Sequence, residues 1–137
     1  MSTLAFDNID LLVKDVQKAV DFYHGVLGLP FFLPYQPEEG WASLQAGSVT
    51  IYIFGTTSEV AAPARRFDAR VDPPGWSLIG LLVDDLDEAI ARFDGKVEWV
   101  APAREWRHPS GTWYRFRGMY DPERNIVSFT EAHKNGV

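Results

Sequence analysis

Asp10 is the one ionisable residue among a set of strand positions whose alternation would place them on a binding face, and a desolvated carboxylate there could act as a general base. If Ile9, Leu11 and Val13 pack beneath helices, then Asn8, Asp10 and Leu12 share the opposite face. Thr50, Tyr52 and Phe54 follow by the same rule, as do Leu78, Gly80 and Leu82, and Ile126, Ser128 and Thr130. This mixture of aromatic and apolar surface with a few hydroxyls, an amide and a carboxylate suits a small or medium organic molecule. The plainer reading puts Asp10 near an open rim, paired with an arginine, because a lone carboxylate specifies no reaction.

A second concentration of functional side chains is the stretch "REWRHPSGTWYRFRG" (104–118). Within it Trp113, Arg115 and Arg117 share one strand face, and Tyr114 and Phe116 share the other. Arginines facing a cleft would hold a carboxylate or phosphate through paired bonds while Trp113 stacks on a flat ring. Facing outward, they form a solvated edge that resists strand-to-strand pairing. Tyr52 and Tyr114 join Asp10 as candidate acids or bases. The candidate ligand-binding residues are Asn8, Asp10, Tyr52, Phe54, Trp113, Arg115 and Ser128.

The bulk composition narrows the classes of function. The 137-residue chain is 46% hydrophobic, enough for a real core, and its net charge of −6 argues against nucleic acid or an anionic membrane as the main partner. It contains no cysteine, which removes disulfides, thiolate nucleophiles and thiolate metal ligands. His24 falls with Gln17 and Asp21 on the polar side of a helix, His108 lies in a Pro-Ser-Gly loop and His133 is near the end; no pair has ligand spacing. The opening "MSTLAFDNID" lacks the basic-then-apolar pattern of a signal peptide. No apolar run approaches the roughly 20 residues of a membrane span, so a soluble cytoplasmic protein is expected. Five tryptophans in an aromatic content of 14% are either core filling or walls for a flat ligand.

The elements that must position these residues come as a repeat. "IDLLVKDVQKAVDFY" (9–23) and "IGLLVDDLDEAIARF" (79–93) align without a gap. Each reads as a strand ending at an aspartate, Asp15 or Asp85, suited to cap the helix that follows. Gly28 is placed to end the first helix in a left-handed conformation. Three short strands are then predicted in each half: 29–36, 40–47 and 48–55, then 96–101, 111–118 and 125–132. In the last of these, Asp121-Pro122 opens a turn and Asn125 is the residue expected to take the left-handed conformation. The chain is therefore expected to be α+β, one domain (1–137) of two βαβββ modules at 1–56 and 76–137, with 57–75 as linker or lid.

On the strength of "LLVKDVQKAVDFYHGVLGLPFF" (11–32), "LLVDDLDEAIARF" (81–93), "GMYDPERNIVSF" (118–129) and the duplicated order, the chain resembles the vicinal oxygen chelate superfamily. This group includes glyoxalases, bleomycin-resistance proteins and extradiol dioxygenases. The resemblance covers essentially the whole chain and implies two curved sheets forming an open-barrel cleft, commonly within a homodimer. Metal-dependent members place His, Gln or Glu at four strand positions, which fall here on Asn8, Tyr52, Leu78 and Ser128. Leucine has no donor, and amide, phenol and hydroxyl groups supply too little negative charge to replace carboxylate and imidazole. No metal or other cofactor is expected, and Ser128 is read as standing in a vacated ligand position.

Two functions follow. The leading one resembles the bleomycin-resistance branch: a metal-free protein that sequesters an aromatic drug or natural product. The alternative is a lyase, isomerase or dioxygenase of the same superfamily, working through a displaced metal or through Asp10, Tyr52 or Tyr114. A duplicated domain serving mainly protein contact is a third, blander reading.

Overall fold

The computed structural model describes residues 3–135, an α+β fold of eight strands and two α-helices among the described residues. It divides after Ala61 into two compact units, each built around one sheet that does not close on itself.

The first unit starts with β1 (Asn8–Val13), whose aspartate stop is followed by α1 (Val16–Val20). Asp15 caps this helix by accepting from the Lys18 amide at 3.0 Å, which satisfies one of the orphan donors at a helix start. The helix then widens into a π turn over Asp21–Val26 and ends at Gly28, which takes φ 78° as expected. β2 (Trp41–Ala46) and β3 (Val49–Gly55) complete a sheet of order β1-β3-β2. β1 runs parallel to β3, with Asn8 opposite Thr50, Asp10 opposite Tyr52 and Leu12 opposite Phe54. α1 covers the face carrying Val13, Ala42, Leu44, Ile51 and Ile53, all at most 1% exposed.

The strand expected over 29–36 does not form. Phe31 makes a single bridge to Leu44, and the segment trails along β2 through Phe32 N to Ser43 O (2.9 Å) and Gln45 N to Pro30 O (2.8 Å). Pro30 and Pro34 have no N–H to donate, so a continuous ladder cannot run through them.

The second unit repeats the plan with one strand more than expected. β4 (Leu78–Leu82) leads to α2 (Leu86–Phe93), capped by Asp85, which accepts from the Glu88 amide at 3.2 Å. β5 (Glu98–Trp99), β6 (Arg104–Arg107), β7 (Trp113–Tyr120) and β8 (Ile126–His133) follow. The order is β4-β8-β7-β5, with β6 also pairing with β7. The strand expected over 96–101 shrinks to the two residues of β5. β6 was not foreseen: a short, fully exposed "REWR" edge has no buried face to leave an alternation signal.

The turn before β8 forms around Asp121, whose carboxylate accepts from Glu123 N (2.8 Å), Asn125 N (2.9 Å) and Asn125 Nδ2 (3.0 Å). The left-handed residue is Arg124 (φ 70°), not Asn125, because Asn125 is committed to Asp121. Among the described residues, no helix is long and apolar enough to cross a membrane.

Candidate functional site

Each unit has a face that its helix leaves uncovered. In the first, register and alternation put Asn8, Asp10 and Leu12 beside Thr50, Tyr52 and Phe54, with Trp41, Ser43 and Gln45 of β2 completing the row. The side chains form two groups. Tyr52 stacks on Phe54 with centroids 6.2 Å apart, and Phe54 on Trp41 at 6.4 Å, an aromatic run along one side. Beside it the Asn8 amide donates to the exposed Asp10 carboxylate at 2.8 Å. Asp10 is therefore held by Asn8, where the sequence offered an arginine as its plainer partner. Leu12 is 64% exposed and Phe54 36%, so this face carries apolar surface available for contact.

In the second unit the helix-free face carries Tyr114, Phe116, Gly118 and Tyr120 of β7 against Ile126, Ser128 and Thr130 of β8 and Leu78, Gly80 and Leu82 of β4. Arg104 and Trp106 of β6 join it opposite Phe116 and Tyr114. This resolves which face of the strand 113–120 is helix-free, and Trp113 and Arg115, chosen as ligand-binding residues, are not on it. Both lie on the helix side. Arg115 donates to Asp87 of α2 at 2.8 Å, and Trp113 stacks on His133 at 4.0 Å. The arginine's hydrogen bond holds the Asp87 carboxyl below its usual range. Arg117 is on the same side, donating to Ala101 O at 2.9 Å. Tyr114 is on the helix-free side but borders Trp106 at 5.6 Å, in the other unit's sequence from Asp10 and Tyr52.

The second face is covered by part of the chain's own connecting segment. Residues 65–75, part of the segment read as linker or lid, fold back on it. Phe67 stacks on Phe116 at 5.8 Å and lies over Gly118, where an added Cβ would come within 2.9 Å of its ring. The register partner of Gly118 is Ser128, which is 1% exposed.

The four superfamily ligand positions can now be placed. Tyr52 and Ser128 are equivalent: Tyr52 is opposite Asp10 as Ser128 is opposite Gly80, with Asn8 and Leu78 each two residues upstream. Asn8 is engaged with Asp10, Tyr52 with the ring of Phe54, and the Ser128 hydroxyl donates to Phe129 O at 3.2 Å and contacts the Thr130 hydroxyl at 3.3 Å. Leu78 offers only hydrocarbon. This donor set does not fit a divalent cation, which needs charged or strongly basic ligands at several of these places. His24, in the first unit, stacks on Phe31 at 4.0 Å with Nδ1 against Leu29 O at 2.8 Å.

Comparison with known proteins agrees with this architecture. The profile of the Glyoxalase/Bleomycin resistance protein/Dioxygenase superfamily matches residues 5–129, and the chain belongs to that family. A glyoxalase/dioxygenase from Nostoc punctiforme superposes with TM-score 0.71 at 17% identity, covering 98% of this chain and 99% of its own. A lactoylglutathione lyase from Agrobacterium tumefaciens gives 0.62 at 23% identity over 96% of both chains. A glyoxalase/bleomycin resistance protein/dioxygenase from Alicyclobacillus acidocaldarius gives 0.66 at 15% identity, over 95% of this chain and 92% of its own. These likenesses carry the fold. Among curated proteins, none matches the chain in sequence.

Proposed function

We propose that this superfamily member is a cytoplasmic small-molecule-binding protein that sequesters an aromatic drug or natural product without a resident metal. The observation that carries the reading is the row Trp41–Phe54–Tyr52 beside the Asn8–Asp10 pair, on the face α1 leaves open. Stacked rings next to an exposed carboxylate favour a flat, cationic guest, through ring contact and cation–π attraction. The net charge of −6 would draw such a guest in from a distance. The poor donor set at Asn8, Tyr52, Leu78 and Ser128 supports binding that needs no ion.

The chain is proposed to act as a homodimer. Leu12 of β1 and Leu82 of β4 are 64% and 75% exposed in the single chain, and a second copy would cover them.

A second reading draws on the in-register pair Asp10 and Tyr52: a carboxylate and a phenol side by side are the makings of an acid–base lyase or isomerase. One experiment separates the two. A panel of aromatic natural products is titrated against tryptophan fluorescence, with and without chelator, and every binder is then checked for conversion. Saturable, chelator-insensitive quenching with unchanged compound supports the binder. Turnover of a binder supports the enzyme, and a panel with no saturable quenching removes the first reading.

A further inference from the structure

Phe67 is the main anchor of the segment over the second sheet. Phe67 is not glycine, yet it sits at φ 60°, a conformation that side chains rarely adopt and that surrounding contacts must stabilise. Those contacts form a complete seat. The ring stacks on Phe116 (5.8 Å) above the bare backbone of Gly118, and the Arg104 guanidinium lies 4.6 Å from the ring centroid. The same guanidinium donates through Nη1 to the Phe67 carbonyl oxygen at 2.6 Å. One arginine thus reads both a ring and an oxygen acceptor three carbons away from it.

The rest of the segment is folded on itself more than on the sheet. The Asp72 carboxylate accepts from Arg66 N (2.8 Å) and Asp68 N (3.3 Å), Asp72 N bonds Asp68 O (2.9 Å), and Arg65 Nη1 bonds Pro73 O (2.7 Å). Arg70 pairs with Asp68, its hydrogen bonds drawing that carboxyl down to about 2. Beyond Phe67, Tyr120 Oη of β7 donates to Arg65 O at 3.2 Å. Such a strap can lift as a unit without losing its internal bonds.

We propose that the Phe67 seat is a ligand subsite occupied in the free protein by the chain itself, and that an aromatic compound bearing a carboxylate or carbonyl two carbons from its ring displaces the strap. The strained φ is relieved on release, which lowers the cost of the exchange. Gly118 is required because any Cβ would fill the ring's place. The subsite belongs to the second unit alone and does not rest on the reading of the first unit's face.

The probe is 3-phenylpropanoate, which reproduces the ring, the two-carbon spacer and the oxygen of Phe67. Phe67→Gly removes the ring while glycine accepts the left-handed backbone, so the strap's own bonds are kept. Binding followed by NMR titration is expected to tighten about tenfold or more in Phe67→Gly, since the competing ring is gone. Adding Arg104→Gln is expected to cancel the gain. No gain in Phe67→Gly, or a gain that survives Arg104→Gln, overturns the proposal. A measurement on the unaltered protein stands beside this: high concentrations of the probe should speed trypsin cleavage after Arg65, Arg66 and Arg70, and unchanged or slower cleavage counts equally against it.

Discussion

The carboxylate of Glu131, near the end of β8, accepts the amide of Leu86, the first residue of α2, at 2.9 Å across 45 residues of sequence. That amide is one of the donors a helix start leaves without an internal partner, and a buried one must find an acceptor elsewhere. Glu131 is 8% exposed and also meets His133 Nε2 at 2.6 Å and Arg115 at 3.8 Å, while Arg115 reaches Asp87 on the helix. The polar residues of the far ends of β7 and β8 are thus spent on docking α2. Arg115 serves the helix, while Trp113 on the same side stacks on His133.

The docking should be sensitive to acid. The Leu86 amide, then His133, holds the Glu131 carboxyl below its ordinary range, and the Arg115 hydrogen bond does the same to Asp87. A carboxyl depressed by folding stabilises fully above its unfolded pKa, and the contribution is lost as pH falls through the folded value. Thermal melts should therefore show the unaltered protein weakening below about pH 4. Glu131→Gln should be less stable at neutral pH, with the gap to the parent closing in acid. A gap that stays constant from neutral pH to pH 3 would contradict this clamp.

Phe129 ties the second core together. It is 4% exposed and packs on Phe93 at 5.0 Å and Trp99 at 6.2 Å. Phe129→Ala should lose about 3–5 kcal/mol of unfolding free energy in urea titrations, and Phe129→Leu much less.

Asp121 organises the turn before β8 from a site 4% exposed, accepting three N–H donors. Asp121→Ala leaves those donors short of an acceptor and should cost about 1–3 kcal/mol. Asp121→Asn, which keeps one carbonyl oxygen, should recover part of the loss in the same denaturation experiment.

Much of the fold could be read in the sequence because its signals are local. The alternation in "IDLLV" and "IGLLV", the caps Asp15 and Asp85, and Gly28 all act within a few residues, and each is where it was expected. Signals that depended on distant partners were not legible. The 113–120 strand alternates cleanly, but only α2 decides which face is inside, through Asp87 and Arg115. Asn125 is the natural left-handed residue until Asp121 claims its side chain. Arg104 and Phe67 are 37 positions apart, and neither type announces that the other will sit on it. Only the unusual length of the 57–75 connection hinted that the segment would do more than join two halves.

If the chain pairs with a second copy, light scattering in dilute solution should give twice the mass of the single chain. Replacing Leu12 and Leu82 by Asp should return the monomer mass. A monomer in the unaltered protein would count against pairing.

In the proposed role, Tyr52, Phe54, Trp41 and Asp10 hold an aromatic guest without an ion. The most direct measurement is the dissociation constant of the best aromatic cation from the screen, taken with chelator present, for the parent, Tyr52→Ala and Asp10→Asn. Micromolar binding by the parent, weakened about tenfold or more by each change, is the expected result. Binding that vanishes with chelator, or that both variants retain in full, would contradict it.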